Sequence, residues 1–153
     1  MGTIEETLGK LGVTLPDPPA PAANYVPYVV SGNMVYVSGQ ISMNDAGLMT
    51  GKLGDGVSIE EGAAAARTCA ISLLAQLKKA CDGDLERLVR VVKLTGFVNS
   101  TPDFADQPKV INGCSDFLVE ALGERGRHAR SAVSAGALPL GVMVEIEGIF
   151  EIA

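Results

Sequence analysis

The sequence predicts an α+β fold in which two long helices cover one face of a single β-sheet. Strand-forming segments occur in pairs towards both ends of the chain, and two amphipathic helical segments with a strand between them lie in the middle. The last strand-forming segment alternates between an apolar face and a face of mixed polarity, so only one side of the sheet is expected to be covered. With 153 residues, 47% of them hydrophobic, the chain is long enough to bury one core.

Residues 1–24 are predicted to form a short helix and a linker ahead of the globular part. Thr3 and Glu6 are spaced as a capping box, which begins a helix that ends near Gly12. The segment LPDPPAPAAN contains four prolines, which exclude regular structure and favour a stiff, extended linker. We therefore predict two regions, residues 1–24 and an α+β domain over residues 25–153.

The first half of the domain is predicted to contain two consecutive strands, a short third strand and the longest helix. Segments 25–30 and 34–38 flank the turn sequence Ser-Gly-Asn, and the short strand is expected within 48–50. Pro27 suggests that the first of these strands lies at an edge or begins after the proline. A second capping box begins at Ser58, and apolar residues at three- and four-residue steps predict a helix as far as Cys81. The early part of this stripe is alanine, so that end of the helix is expected to lie very close to the sheet.

The second half of the domain is predicted to add a strand, a helix and a final pair of strands. Segment 88–99 predicts the strand, and an apolar stripe predicts a helix that begins near Pro108 and ends at Gly123. Segments 130–135 and 142–152 are the final strands. The last of these has one apolar face, and its other face carries Met143, Glu145, Glu147, Ile149 and Glu151. This mixture favours a subunit interface that contains a cleft, and therefore a homo-oligomer.

Composition excludes several classes of function. The net charge of −6 and the scattered basic residues argue against a nucleic-acid or anionic-membrane partner. The three cysteines are widely separated and are expected to be buried free thiols, and with one histidine they offer no metal-ligand spacing. The N-terminus resembles neither a secretory signal nor a transit peptide, and no apolar run reaches membrane-spanning length. We expect a cytoplasmic protein with no metal site.

Two charged residues stand in otherwise small or apolar strands, Arg130 and Glu145. Small neighbours leave space around the Arg130 guanidinium, whose planar fork suits bidentate contact with a carboxylate. On residue type alone, a structural salt bridge to Glu145 or Glu147 is the more common role for such an arginine. Glu145 by itself is likewise more often an interface or surface acid.

The same residues lie in motifs that resemble a known family. The sequences HARSA, LPLG and VEIEG at 128–132, 138–141 and 144–148 resemble the C-terminal signature of the YjgF/RidA reactive-intermediate deaminases. Further stretches are similar to the family's Pro-Tyr pair, its GN…SGQ strand and its central strand, at 27–28, 32–40 and 94–99. The resemblance spans about residues 21–152, and the N-terminal helix and linker resemble additions found in one subgroup.

The resemblance implies a chorismate mutase-like α+β fold, with two helices on one face of a mixed sheet, assembled as a homotrimer with three clefts between subunits. It also implies hydrolysis of reactive 2-imino or enamine acids to 2-keto acids and ammonia, without a metal or cofactor. In this reaction Arg130 matches the arginine that holds the substrate carboxylate. Glu145 matches the glutamate that orients the attacking water.

The resemblance further assigns four substrate-binding positions. Tyr28 matches a tyrosine at the edge of the cleft, Gly39 a backbone contact, and Asn112 an asparagine near the start of a helix. Ala132 stands where the family has a cysteine that acts through its backbone. The chain departs from the family at that position, at His128, where a proline is usual, and at Leu140, where a lysine is frequent. These departures concern substrate range more than the chemistry.

Two other functions remain open on the sequence. A trimeric protein that binds a keto or amino acid without turnover would use Arg130 but would not need Glu145. Ribonuclease activity is attached to some relatives, and the acidic charge argues against it. Chorismate mutation shares the fold, but a fold does not determine a function.

Overall fold

The computed structural model describes residues 2–18, 20 and 24–153. Three helices, α1 to α3, span Ile4–Lys10, Ile59–Ala80 and Gln107–Leu122. The main sheet contains β1, β2, β7, β8 and β9, at Tyr28–Ser31, Met34–Ile41, Leu88–Asn99, Ala129–Ala135 and Val144–Ile152. Two small sheets pair β3 with β4 and β5 with β6, at Met43–Asn44, Gly47–Leu48, Lys52–Leu53 and Gly56–Val57.

The five strands of the main sheet lie in the order β1-β2-β9-β7-β8. Strands β7 and β8 are parallel and the other neighbours are antiparallel, so the sheet is mixed. The prediction that the last two strands pair with each other is wrong. Strand β9 instead enters between β2 and β7, where both of its edges are hydrogen-bonded, and its strict apolar alternation suits this central position.

Both long helices pack on the same face of this sheet, which confirms the predicted α+β class. The core between them contains all seven apolar residues of the stripe on α3 together with the even-numbered apolar residues of β9. Helix α2 begins at Ser58 with the predicted capping box, and the α3 helix ends at Gly123 as expected. The three cysteines are buried and free, as the sequence predicts.

The alanine-rich helix α2 packs closely against α3 as well as against the sheet. A Cβ atom on Gly113 of α3 would overlap the carbonyl oxygen of Ala63. Further along α2, the Cys69 thiol lies 3.7 Å from the carbonyl oxygen of Val144 in β9, so the same helix also touches the sheet. The small residues of α2 therefore allow close contact with both the neighbouring helix and the sheet.

Helix α1 packs against the core of the domain. Thr3 makes the predicted capping box with Glu6, and Ile4 and Leu8 are each only 1% exposed. The backbone N–H of Ile4 donates to a carboxylate oxygen of Glu86 at 2.7 Å. Residues 15–18, 20 and 24 of the predicted linker have no helix or strand, and Pro19 and residues 21–23 lie outside the described part of the chain.

Several strand boundaries differ from the predicted ones. Strand β1 begins at Tyr28, directly after Pro27, and lies at an edge of the sheet, as the proline suggests, because its nitrogen has no hydrogen to donate to a sheet ladder. Strand β2 continues to Ile41, and β9 begins at Val144, while Val142 makes a single bridge to Thr50. The short strand expected within 48–50 is Gly47–Leu48, in a hairpin with β3.

The face of the sheet opposite the helices is not covered by the described residues of the chain. The exposed side chains there include Val29, Tyr36 and Val133, each more than 40% exposed. Glu145, Glu147, Ile149 and Glu151 of β9 lie on this face, as the alternation predicts. In the part of the chain that the structure describes, no helix is both long and apolar enough to cross a bilayer.

Candidate functional site

Arg130 is held by neutral partners on α3. Its strand, β8, is an edge of the sheet, and its register partner is the fully buried Leu94, so the arginine side chain lies on the helix-covered face. The Nη1 group donates to Asn112 Oδ1 at 2.9 Å and to Ser115 Oγ at 3.1 Å. Asn112 and Ser115 are three residues apart on one helix, which places both acceptors beside the same guanidinium.

The predicted structural salt bridge from Arg130 to Glu145 or Glu147 is wrong. Among the described residues, the ion pairs join other side chains, and no carboxylate lies within 4.0 Å of Arg130. Strand β7 separates β8 from β9, so the two charged groups come from strands that are not neighbours in the sheet. Within residues 2–18, 20 and 24–153, only Nη1 of the guanidinium has a hydrogen-bond partner, which leaves the Nε–Nη2 edge for a carboxylate.

His128 is connected to Arg130 through Ser115. The half-buried ring lies with Nε2 2.9 Å from Ser115 Oγ and Nδ1 2.5 Å from the carbonyl oxygen of Gly126. Burial lowers the pKa of His128 and the nearby Arg130 charge lowers it further, while the hydrogen bond to Gly126 acts in the opposite direction. These effects favour a neutral imidazole ring at neutral pH.

Glu145 is a half-buried carboxylate on the opposite face of the sheet. It lies in β9 between Ile41 of β2 and Phe97 of β7. Burial raises the pKa of Glu145, and the like charge of Glu147 raises it further. A glutamate with a raised pKa is well suited to accept and return a proton near neutral pH.

Gly39 provides the space that the Glu145 carboxylate occupies. The register between β2 and β9 shifts between Val37 and Gln40, so Gly39 lies in a bulge. A Cβ atom at this position would overlap Glu145 Oε2 and would lie 2.8 Å from Cδ and 2.9 Å from Cγ. The two residues therefore form one unit, in which the glycine permits the position of the carboxylate.

The predicted site residues other than Tyr28 fall into two separate groups within one chain. The arginine group, Arg130, Asn112 and Ala132, lies on β8 and α3, and Ala132 pairs with Gly96 of β7. The glutamate group comprises Glu145 and Gly39. Tyr28 of β1 belongs to neither group, because it pairs with the buried Val37 and packs against the core, on the face of the sheet opposite Glu145. Strands β1 and β8 are the two edges of the sheet, about 19 Å apart at four strand spacings.

An open cleft of 1070 Å³ adjoins the glutamate group. Gly39 and Glu145 form part of its lining, and Thr68 of α2 and residues 14 and 16–18 of the N-terminal segment form other parts. The N-terminal segment is therefore one of the walls beside the candidate site.

Sequence reasoning missed one residue of this arrangement, Ser115, and the effect of another, Glu147. Ser115 contacts both Arg130 and His128, and its only signal in the sequence was its position three residues after Asn112. Glu147 influences the pKa of Glu145 from the next position on the same face of β9. Both effects depend on which strands and helices are neighbours.

The described residues offer no group of three or more His, Cys, Asp and Glu side chains that could hold a metal ion. The groups present are a guanidinium with a free edge and a carboxylate with a raised pKa. The first can hold a carboxylate ligand, and the second can exchange a proton with water.

Comparison with known proteins places the chain in a family. The family model described as "YjgF/chorismate mutase-like, putative endoribonuclease" matches residues 5–151. Protein TCP17 of Trypanosoma cruzi is 48% identical over 153 residues, which cover 99% of this chain and 95% of that protein.

Comparison with solved structures leads to the same family. The protein Atu1372 of Agrobacterium tumefaciens, described as of unknown function, superposes with a TM-score of 0.91 at 48% identity, covering 98% of this chain and 92% of its own. RidA from an Antarctic Psychrobacter superposes with a TM-score of 0.58 at 29% identity, covering 89% of this chain and 94% of its own. The mixed sheet with two helices on one face is therefore a chorismate mutase-like fold, and the chain belongs to the YjgF/RidA family.

Proposed function

We propose that this protein hydrolyses 2-imino and enamine acids to 2-keto acids and ammonia in the cytoplasm. The observation that carries the proposal is Arg130, whose guanidinium is held by two neutral oxygens and keeps its other edge free for a carboxylate. If Arg130 formed an ion pair with a glutamate on the helix-covered face, its role would be structural instead. Membership of the family that includes RidA supports the same reading.

A complete site is proposed to form between two copies of the chain. Arg130 and Glu145 lie on opposite faces of the sheet with β7 between their strands, so they cannot face one substrate within one chain. The uncovered sheet face, with Val29, Tyr36 and Val133, offers apolar surface that a second copy would bury. A closed homotrimer would use this face and would join the arginine group of one copy to the glutamate group of the next.

The proposed reaction is R–C(=NH2+)–COO− + H2O → R–CO–COO− + NH4+. Arg130 binds the carboxylate and so fixes the position of the electrophilic C2 carbon. Glu145 accepts a proton as water adds to C2, and returns it to the nitrogen of the resulting carbinolamine. The C–N bond then breaks, and the hydroxyl proton leaves through Glu145 to the departing ammonia. A general base of this kind contributes roughly 10²–10⁴-fold to a rate.

The test generates 2-imino acids with an amino-acid oxidase and traps the surviving imine with semicarbazide. The protein is expected to decrease the semicarbazone, and Arg130→Ala is expected to abolish this effect while the oligomer keeps its size. The matched control is Arg127→Ala, since Arg127 is a nearby exposed arginine whose side chain pairs with Glu124. Unchanged semicarbazone with small, aliphatic and aromatic imines would reject the deaminase and favour a metabolite-binding protein. An RNA-cleavage assay run in parallel tests the endoribonuclease description, which the net charge of −6 disfavours.

Mixing two inactive variants tests whether the site is shared. When Arg130→Ala and Glu145→Gln chains are unfolded together and refolded as mixed trimers, about a quarter of the interfaces contain both native groups. We therefore expect recovery of about a quarter of the normal activity, against none for either variant alone. Absence of recovery in verified mixed trimers would mean that both groups act within one copy.

A further inference from the structure

His128 lies outside the two groups that would touch substrate, but it is joined to one of them by a short series of hydrogen bonds. Its Nε2 atom lies 2.9 Å from Ser115 Oγ, and the same Oγ atom lies 3.1 Å from Arg130 Nη1. On its other side, Nδ1 lies 2.5 Å from the carbonyl oxygen of Gly126.

The chemistry of these groups determines the direction of every hydrogen bond. A carbonyl oxygen can only accept, so His128 Nδ1 must carry a hydrogen and donate it to Gly126. In a neutral ring Nε2 is then an acceptor, and the Ser115 hydroxyl donates to it. The lone pairs of Ser115 Oγ remain to accept from the guanidinium of Arg130.

Without His128 the Ser115 hydroxyl would have another acceptor. A serine within a helix commonly donates to a carbonyl three or four residues earlier in its own helix, which turns its lone pairs in a different direction. The His128 ring instead draws the hydroxyl hydrogen away from α3 and directs the oxygen lone pairs towards Arg130. Asn112 would still hold the guanidinium, so only one of its two acceptors would change.

We propose that His128 is a positioning residue, which acts through Ser115 to fix the direction in which Arg130 presents its free edge to a substrate carboxylate. This inference deepens the proposed function and rests on it for the identity of the ligand. His128 itself touches neither the substrate nor the reacting atoms.

The test measures binding of pyruvate, a non-reacting 2-keto acid, by calorimetry, together with KM and kcat for imine hydrolysis. His128→Phe keeps a ring without an acceptor, and His128→Gln returns an amide oxygen near the Nε2 position. We expect His128→Phe to weaken pyruvate binding and raise KM about three- to tenfold, the size of one net hydrogen bond, with a smaller change in kcat. His128→Gln should recover part of this loss.

Combining variants tests whether His128 acts through Ser115. In a Ser115→Ala background, His128→Phe should cause no further weakening, because the connecting hydroxyl is already absent. Equal weakening in both backgrounds, or no weakening in the native background, would overturn the proposal. Thermal unfolding of each variant separates a loss of stability from a loss of positioning.

Two spectroscopic readouts do not depend on turnover or on ligand. The chain has one histidine, so its ring ¹⁵N signals are unambiguous, and they should report a hydrogen on Nδ1 and none on Nε2. NMR should also detect faster rotation of the Arg130 guanidinium in His128→Phe than in the native chain. If the native protein neither hydrolyses imines nor binds pyruvate, the proposed function fails, while unchanged guanidinium rotation would refute the role of His128 separately.

Discussion

Replacing Gly39 with alanine should inactivate the protein by displacing Glu145. The added Cβ atom would overlap Oε2 of that side chain and lie within 2.8 Å and 2.9 Å of its Cδ and Cγ atoms. Real Cβ atoms do not tolerate such distances, so one of the two residues must move. Gly39 lies in the backbone of β2, which is hydrogen-bonded to β9, whereas the overlapping atoms belong to a flexible side chain. The carboxylate is therefore expected to rotate away from the site.

The expected loss of kcat is roughly 10²–10⁴-fold, equal to that of Glu145→Gln, because both changes remove the same base from the reacting water. The free energy of unfolding should fall by only about 1–3 kcal/mol, the usual cost of excess volume in a packed region. Imine hydrolysis in the semicarbazide assay measures the first quantity, and urea denaturation measures the second.

The chain offers a control and a rescue for this prediction. Gly136→Ala adds the same methyl group where no atom lies within 4 Å, and it should retain activity. The double variant Gly39→Ala/Glu145→Ala removes the overlapping atoms, so it should regain stability but not activity. Full activity of Gly39→Ala, or rescue of activity in the double variant, would refute the reasoning.

Three further predictions follow from the packing and the charges. Gly113→Ala should lower the free energy of unfolding, measured by urea denaturation, by about 1–3 kcal/mol or more, because its Cβ atom would overlap the backbone of Ala63, which cannot rotate away. Gly9→Ala adds a methyl group in open space and should not lower the free energy of unfolding. Glu145 must be ionised to act as a base, so kcat/KM should rise as the pH increases through the raised pKa of this side chain. Glu147→Gln removes a like charge and should move this rise in kcat/KM to lower pH. Glu151→Gln, at the far end of the strand, should leave the pH of the rise unchanged. Burial raises the pKa of all three cysteine thiols, and it raises that of Cys114 to about 12. A thiol reagent at pH 8 should therefore label the cysteines only as fast as the protein unfolds.

Elements encoded by local sequence were predicted closely. The capping box at Ser58 and the apolar stripe of α2 are complete within one segment, and strand β7 has the predicted bounds. The position of β9 was not predicted, because its partners β2 and β7 are distant in sequence and nothing in segment 142–152 identifies them. Consecutive strands pair often enough that β8 was assigned to β9, but the connection here crosses β7.

The candidate site shows the same division between residue identity and arrangement. Arg130, Asn112 and Glu145 could be named from motifs, and the contact between Arg130 and Asn112 is present. Ser115 could not be identified, because a helical serine acquires its role only when α3 is placed beside β8. The separation of Arg130 from Glu145 likewise depends on strand order and on the face that each side chain occupies.

The central position of β9 also constrains how the chain folds during synthesis. This strand is the last of the sheet to leave the ribosome, and it supplies every hydrogen bond between the β1–β2 hairpin and the β7–β8 pair. Until residues 144–152 emerge, the nascent chain holds two separate halves with exposed edges, and closure of the sheet must wait for pairings of long sequence separation. A chain truncated before Val144 would therefore contain both long helices but have a sheet that is open at its centre, with edges that a chaperone would have to protect.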